Sequence, residues 1–461
     1  MVFLVDAQQP ASRYLTMAPP VATTSSCALD SEPTSPTAGS QKSLPAQWYR
    51  DERIYHIERR AIFSKLWMLS THVSRFQKPG DYLKLELAGY SYFVILTKEG
   101  NYNAFHNVCR HRAFPLVQKE TGSSTVIGCK YHGWSYSPST GALIKAPKFN
   151  NVPSFKPSEN SLFRIRTHVT SAGFIFVNFA ANIDNDDGVP PVPTEADMVM
   201  RSDPSRVPPG QLTFEDHFGD LVNEWSNFKP QEYEYAYSWT VTGAYNWKTL
   251  MDGYQECYHC TIAHPGFAKS LSLDTYKVTP KTNFARHTAD NNSKPNAVQP
   301  KGARQNDAPP TFTFVFPACG VTVTDVMWYM MRVVPLSATQ TKMEYDVFKR
   351  KTVSMEQLKE YMEFYEQVEE EDYFLCVATQ RNLNTGIYSR GVLHPNNENG
   401  VLYYQGRVKE YVEEHLALEK KLGYEWNPAT PRSQCEDKLS KGCGGEGADS
   451  VCMNLGPEMT W

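Results

Sequence analysis

One stretch constrains this chain more than any other. It places Cys109-Arg110-His111 on one arm and Cys129-Lys130-Tyr131-His132 on a second, with residues 112 through 128 between them. Each arm offers one thiolate and one imidazole. Such a set holds either a tetrahedral zinc or a two-iron cluster in which two histidines replace two cysteines on one iron. Zinc fingers favour two cysteines on one arm and two histidines on the other. Here each arm is mixed, Cys-x-His and Cys-x-x-His, which suits the two-iron arrangement. Gly128 and Gly133 permit close backbone approach, and Trp134 and Tyr136 can wall the group from water. Structural zinc, or four unrelated side chains, are the competing readings.

The chain has 461 residues, room for roughly two to three domains. Its net charge is −4 and it has no dense basic run, so nucleic acid is not an expected partner. Its longest apolar runs, such as Phe93-Val94-Ile95-Leu96, are far short of the roughly 20 residues that cross a bilayer, so no membrane is expected either. Ten cysteines in this length do not make a disulfide framework. Free thiols and an iron–sulfur group fit a reducing compartment, and a cytoplasmic location is expected. The start Val2-Phe3-Leu4-Val5 is too short for a secretory signal. Organelle targeting by the Arg-poor residues that follow stays open.

Residues 1–45 are rich in Pro, Ser, Thr and Ala and read as a disordered tail. Residues 46–180 read as a cluster-bearing domain with a leading helix over 48–67 and strands at Tyr82–Leu87, Tyr92–Leu96, Tyr102–Phe105 and within 163–179. Residues 181–430 read as a catalytic domain. It opens on a connecting loop, 185–210, and continues with strands over 232–245 and a helix from Trp247 to about Tyr258. A mobile loop over 286–310 and strands at 312–316, 321–334 and 343–349 follow. Ser354-Met355-Glu356-Gln357 has the form of a capping box opening a long helix. Residues 431–461 read as a flexible tail, and Gly442–Gly447 is not a dinucleotide loop because no strand precedes it.

A second site is carried by His259 and His264. On a continuous helix, positions five apart point about 140° from each other, so both reach one ion only if the helix ends near His259. Pro265, Thr261 and Ile262 favour such an ending. Two imidazoles and one carboxylate on one face of an ion form a site for oxygen-activating Fe(II). The long helix supplies the carboxylate. Its apolar stripe Leu358, Tyr361, Tyr365, Val368, Leu375 steps by three and four across position 372, which is Asp372. An acid on a buried stripe is costly unless it pairs or binds a metal. Glu371 is the rival ligand, a structural salt bridge is the plainer role for Asp372, and Glu366, Glu369 and Glu370 lie off the stripe and read as solvated. Cys257 and Cys260 spell Cys-x-x-Cys, readable as a redox dithiol.

The runs Asn107-Val108-Cys109-Arg110-His111-Arg112 and Gly128-Cys129-Lys130-Tyr131-His132-Gly133-Trp134 resemble the cluster motif of Rieske non-haem iron oxygenases, the aromatic-ring-hydroxylating α-subunit family. Ala113 replaces the Gly that many members carry. The tract Glu256-Cys257-Tyr258-His259-Cys260 with Ala263-His264-Pro265-Gly266-Phe267 is similar to the choline, carnitine and glycine-betaine oxygenases, which accounts for the two cysteines without a dithiol. Gly253 is a departure, since those relatives often have Asn. The resemblance covers roughly residues 46 to 425 and implies an α+β chain. A small antiparallel β domain would hold a [2Fe–2S] cluster on Cys109, His111, Cys129 and His132. A larger helix-grip-like antiparallel sheet with a long C-terminal helix would hold Fe(II) on His259, His264 and Asp372. It further implies a head-to-tail homotrimer in which Glu256 bridges to a cluster histidine of the neighbouring subunit. No flavin or nicotinamide motif is visible, so electrons are expected from a separate NAD(P)H-dependent or ferredoxin-type reductase. The implied activity is O₂-dependent monooxygenation of a small quaternary ammonium compound, choline to betaine aldehyde first. The alternatives are hydroxylation or demethylation of another small molecule in secondary metabolism, and a cluster-only electron carrier.

Overall fold

The leading segment is broken where a side chain caps a helix in mid-run. The computed structural model describes residues 41–181, 212–270, 272–290 and 311–431. After β1 (Gln41–Lys42), a 3-10 turn spans Ala46–Tyr49. Asp51 then accepts a hydrogen bond from the Arg53 backbone N–H and starts α1 (Glu52–Glu58), which runs on as a π turn over Arg59–Phe63. The single helix expected over 48–67 is therefore three pieces. By Met68 the chain is already in β2 (Met68–His72), whose five residues are all buried. A strand covered on both faces shows no alternation, so the sequence did not announce it.

Alternation does mark the next strands. The Pro79-Gly80 turn, with Gly80 at φ +93°, feeds β3 (Asp81–Leu87), β4 (Tyr90–Leu96) and β5 (Tyr102–His106). β6 (Thr121–Ser123) adds to β3. β7 (Ile127–Gly128), β8 (Ser135–Tyr136) and β9 (Leu143–Lys145) form a small separate sheet under the second Cys-His arm. With β10 (Arg164–Val169) and β11 (Phe174–Asn178), the first large sheet has the order β2-β11-β10-β5-β4-β3-β6.

The second large sheet is also seven-stranded and antiparallel. Its strands are β12 (Tyr233–Gly243), β13 (Ser272–Pro280), β14 (Phe284–Asp290), β15 (Thr311–Val315), β16 (Cys319–Val323), β17 (Met327–Ser337) and β18 (Gln340–Arg350). They lie in the order β12-β18-β17-β16-β15-β14-β13. Two expectations change here. Residues 286–290 continue β14 and are not loop. The run expected over 321–334 is two strands, because the Thr324 hydroxyl and backbone close a turn on Met327.

One face of this sheet packs on β2 and β11, through Phe174 and the stacked pair Trp328–Phe348, whose rings are 3.9 Å apart. The other face meets α2 (Trp247–Tyr254), α3 (Met355–Asn384) and α4 (Asn399–Leu422). The capping box on α3 is present: Ser354 takes the Gln357 N–H and Gln357 takes the Ser354 N–H. α4 lies outside the expectations above, although Val401, Tyr404, Val408, Tyr411, Val412 and His415 are buried at helical spacing and Gly423 ends it at φ +76°. α1 and α2 are joined by Glu58 and Lys248, fully buried and 2.6 Å apart, with the Trp247 indole N–H donating to Glu58 at 2.8 Å. Burial pushes the carboxyl up and the ammonium down, and the contact between them opposes both shifts.

β19 (Val392–Leu393) pairs with β1, and buried Leu44 donates its N–H to Gln405 at 2.7 Å. Residues 41–45 thus belong to the fold and not to a tail. Residues 1–40 and 432–461 of the expected tails, the connecting loop and residues 291–310 lie outside the described residues, and Gly442–Gly447 with them. Among the described residues no helix is long and apolar enough to cross a membrane.

Candidate metal centres

The two Cys-His arms are near copies in backbone. Cys109 N–H donates to Phe114 O and Ala113 N–H to Cys109 O; Cys129 N–H donates to Trp134 O and Gly133 N–H to Cys129 O. The fourth residue after each cysteine has positive φ, Ala113 at +53° and Gly133 at +75°. That conformation costs a non-glycine residue about 1–2 kcal/mol, which the repeated turn geometry overrides. The turns bury both sulfurs and set the Cys129 thiol against that of Cys109. They also bring the Nδ1 atoms of His111 and His132 to 3.2 Å. Trp134 stacks on His111 with ring centres 5.0 Å apart, and the Tyr136 hydroxyl lies 3.4 Å from Cys109 Sγ. Sulfur pairs with sulfur inside and nitrogen with nitrogen outside. Among the described residues no three of these four donors converge on one point, as a zinc ion would require. Two pairs side by side fit a two-iron group with one iron on each pair.

The second site forms because α2 stops earlier than expected, at Tyr254. Gln255 caps it, a turn follows, and Cys260–Ala263 makes one short helical turn before His264 leaves at φ −122°, ψ 69°. That break turns both imidazoles inward. His259 Nε2 lies 3.2 Å from His264 Nε2, and Asp372 Oδ1 lies 3.1 Å from His264 Nε2 and 3.6 Å from His259 Nε2. All three ligand atoms lie within 4.8 Å of one another. Burial presses the His259 ring towards neutrality, but the Asp372 and Glu256 carboxylates outweigh it and hold its pKa at about 10. His264 is raised against burial by Asp372 and Glu371, and Asp372 is held low against burial by the two imidazoles. The spot among the three therefore favours positive charge. Two histidines and one carboxylate on one face suit a ferrous ion with open positions opposite.

Each histidine is also held from behind. Glu256 accepts from the backbone N–H groups of Tyr258 and His259 and contacts His259 Nδ1. Glu371 Oε2 lies 2.7 Å from His264 Nδ1, and the Gln367 amide donates to Glu371 Oε1 at 3.1 Å. Glu371 thus backs a histidine and does not rival Asp372. Carboxylates on Nδ1 fix the tautomer that leaves Nε2 free to ligate. Cys257 and Cys260 are joined in a disulfide, Cα atoms 5.0 Å apart, against the expectation of free thiols. The turn that ends α2 brings them into bridging range.

Glu369 corrects another expectation, because it is not solvated. It accepts from the Tyr345 hydroxyl on the sheet, and burial raises its carboxyl to about 8 against that hydrogen bond, with Asp372 adding to the rise. Leu375, expected on the buried stripe, is 37% exposed. The stripe continues instead through Cys376, Gln380 and Leu383.

Two family models match the chain: "Rieske [2Fe-2S] domain" over residues 66–156 and "Ring hydroxylating alpha subunit (catalytic domain)" over 230–414. The carnitine monooxygenase oxygenase subunit of Acinetobacter baumannii is 27% identical over 80% of this chain and 94% of its own length. The chloroplastic choline monooxygenase of Amaranthus tricolor is 28% identical over 78% of this chain and 75% of its own. A crystal structure of a quaternary ammonium Rieske monooxygenase in complex with L-carnitine superposes with a TM-score of 0.66 at 24% identity, covering 81% of this chain and 96% of that one. The chain joins a Rieske domain to a ring-hydroxylating α-subunit catalytic domain and belongs to the Rieske non-haem iron oxygenases, a family of oxidoreductases.

Proposed function

We propose that this chain is a monooxygenase of small quaternary ammonium compounds, with choline as first substrate and betaine aldehyde as product. The observation that carries the reading is the convergence of His259, His264 and Asp372 on one point beneath an aromatic sheet face. The names of the relatives support the substrate class. An iron on the triad would supply reductive activation of O₂, and a [2Fe–2S] cluster on Cys109, His111, Cys129 and His132 would supply electrons singly.

The balance is simple. Choline, O₂, two electrons and two protons give the geminal diol and water, and the diol loses water to the aldehyde. The electrons come from a separate reductase. The residues' share is to hold the rings: Glu256 fixes His259 and Glu371 fixes His264. In a head-to-tail trimer, Glu256 would also meet His132 of the partner subunit. The exposure of His132 and the seat of Glu256 behind His259 support that arrangement. Glu256→Gln is expected to keep both metals, by iron analysis, yet to slow product formation at least tenfold. Unchanged turnover would remove the bridge.

The test of function is product analysis with choline, L-carnitine and glycine betaine, using a surrogate reductase and O₂. Betaine aldehyde from choline is expected. No oxidised product from any of the three would overturn the quaternary-ammonium reading.

A further inference from the structure

The sheet face above the triad carries one acid that the metal site does not use. Glu369 sits three residues before Asp372 on α3, about 4.5 Å along the helix axis. It accepts from Tyr345, and its electrostatic neighbours are Asp372 and His264, with no Lys or Arg among the described residues in reach. Tyr329 lies beside Tyr345 on the same face, ring centres 6.0 Å apart. Trp239 lies flat on Tyr345, ring centres 4.1 Å apart and planes within 5°. The two are direct cross-strand partners on β12 and β18, and Met331 continues their row on β17. Gly320 is next in that row, and a Cβ there would sit 2.6 Å from the Tyr254 hydroxyl, so the missing side chain leaves Tyr254 its place in the wall.

A quaternary ammonium has no N–H to donate. It is recognised by aromatic faces and by opposite charge nearby, and both gain when water is excluded. We propose that Glu369 with Trp239 and Tyr345 forms the subsite that takes the cationic head of the substrate, a deepening that rests on the quaternary-ammonium reading above. The distance along α3 suits a small substrate whose reacting carbon lies two bonds from its nitrogen. The head sits at Glu369 and the carbon reaches the triad.

The test is equilibrium binding to the iron-loaded enzyme by calorimetry, with three probes: tetramethylammonium, choline, and 3,3-dimethylbutan-1-ol, the uncharged isostere of choline. Glu369→Gln keeps a hydrogen-bonding partner for Tyr345 and removes the carboxyl, and binding is compared at pH 9, where a carboxyl raised to about 8 is ionised in the parent. It should weaken both cations at least about tenfold and leave the neutral alcohol within about twofold. Trp239→Leu, on an edge strand, should show the same selectivity and serves if Glu369→Gln folds poorly. Equal losses for cation and isostere would mark a structural role and overturn the subsite. So would a parent enzyme that binds no ammonium, whatever it oxidises. Glu369-dependent binding of tetramethylammonium without oxidation of choline would support the subsite and remove choline as the substrate.

Discussion

Glu371 is placed to govern an ion at the triad without ligating it. Its carboxylate holds His264 through Nδ1, and Gln367 in turn holds the carboxylate. Removing such a partner commonly lowers metal affinity by roughly 10–100-fold. Glu371→Leu is therefore expected to lose iron on dialysis while the cluster absorbance stays, and Glu371→Gln to lose less. Equal iron retention in all three proteins would show that the contact does not orient the ring. At this scale the ligand candidates are legible in advance, because Cys-x-His with Cys-x-x-His is rare and an acid on an apolar stripe is conspicuous. Glu369 escapes an apolar count for a physical reason. Tyr361, Tyr365, Glu369, Asp372, Cys376, Gln380 and Leu383 also step by four and three. Polar residues fill the second half of that row, so an apolar count follows Val368 instead. The Cys257–Cys260 bridge depends on the early stop of α2, which no local signal marks.

The elements hold the two centres in place through a few polar anchors. Glu419 on α4 takes Arg60 on both oxygens, at 2.6 and 3.0 Å, together with His415 and the Trp426 N–H. Burial pushes its carboxyl up, but these partners outweigh it and hold the pKa at about 2. An unfolded glutamate titrates near 4.3, so the native state binds fewer protons between those values. The contribution, roughly 3 kcal/mol, is present above about pH 4.3 and is lost as pH falls towards 2. Glu419→Gln should lower the urea midpoint at pH 7, and the deficit should shrink by pH 3. A deficit that is constant with pH would deny the pairing. Alternating strands such as β3, β4 and β5 and the capped start of α3 were readable in advance, since each carries its own periodic signal. β2 is buried on both faces and shows no period. α4 does carry a stripe, but it is mostly Tyr, Val and His, a weaker cue than Leu and Ile.

At the scale of the whole molecule, one cluster arm follows β5 of the first large sheet and the other joins β7 to β8 of the small sheet, while the second large sheet carries an aromatic face beneath three helices. That division of labour explains why the donors sort into a sulfur-bearing pair of positions and a lone triad. The most direct test is iron and acid-labile sulfide per chain in anaerobically reconstituted protein, parent against Asp372→Ala. About three irons and two sulfides are predicted for the parent, and two irons with the same sulfide for the variant. Two irons in the parent, or no difference between the two proteins, would contradict the account.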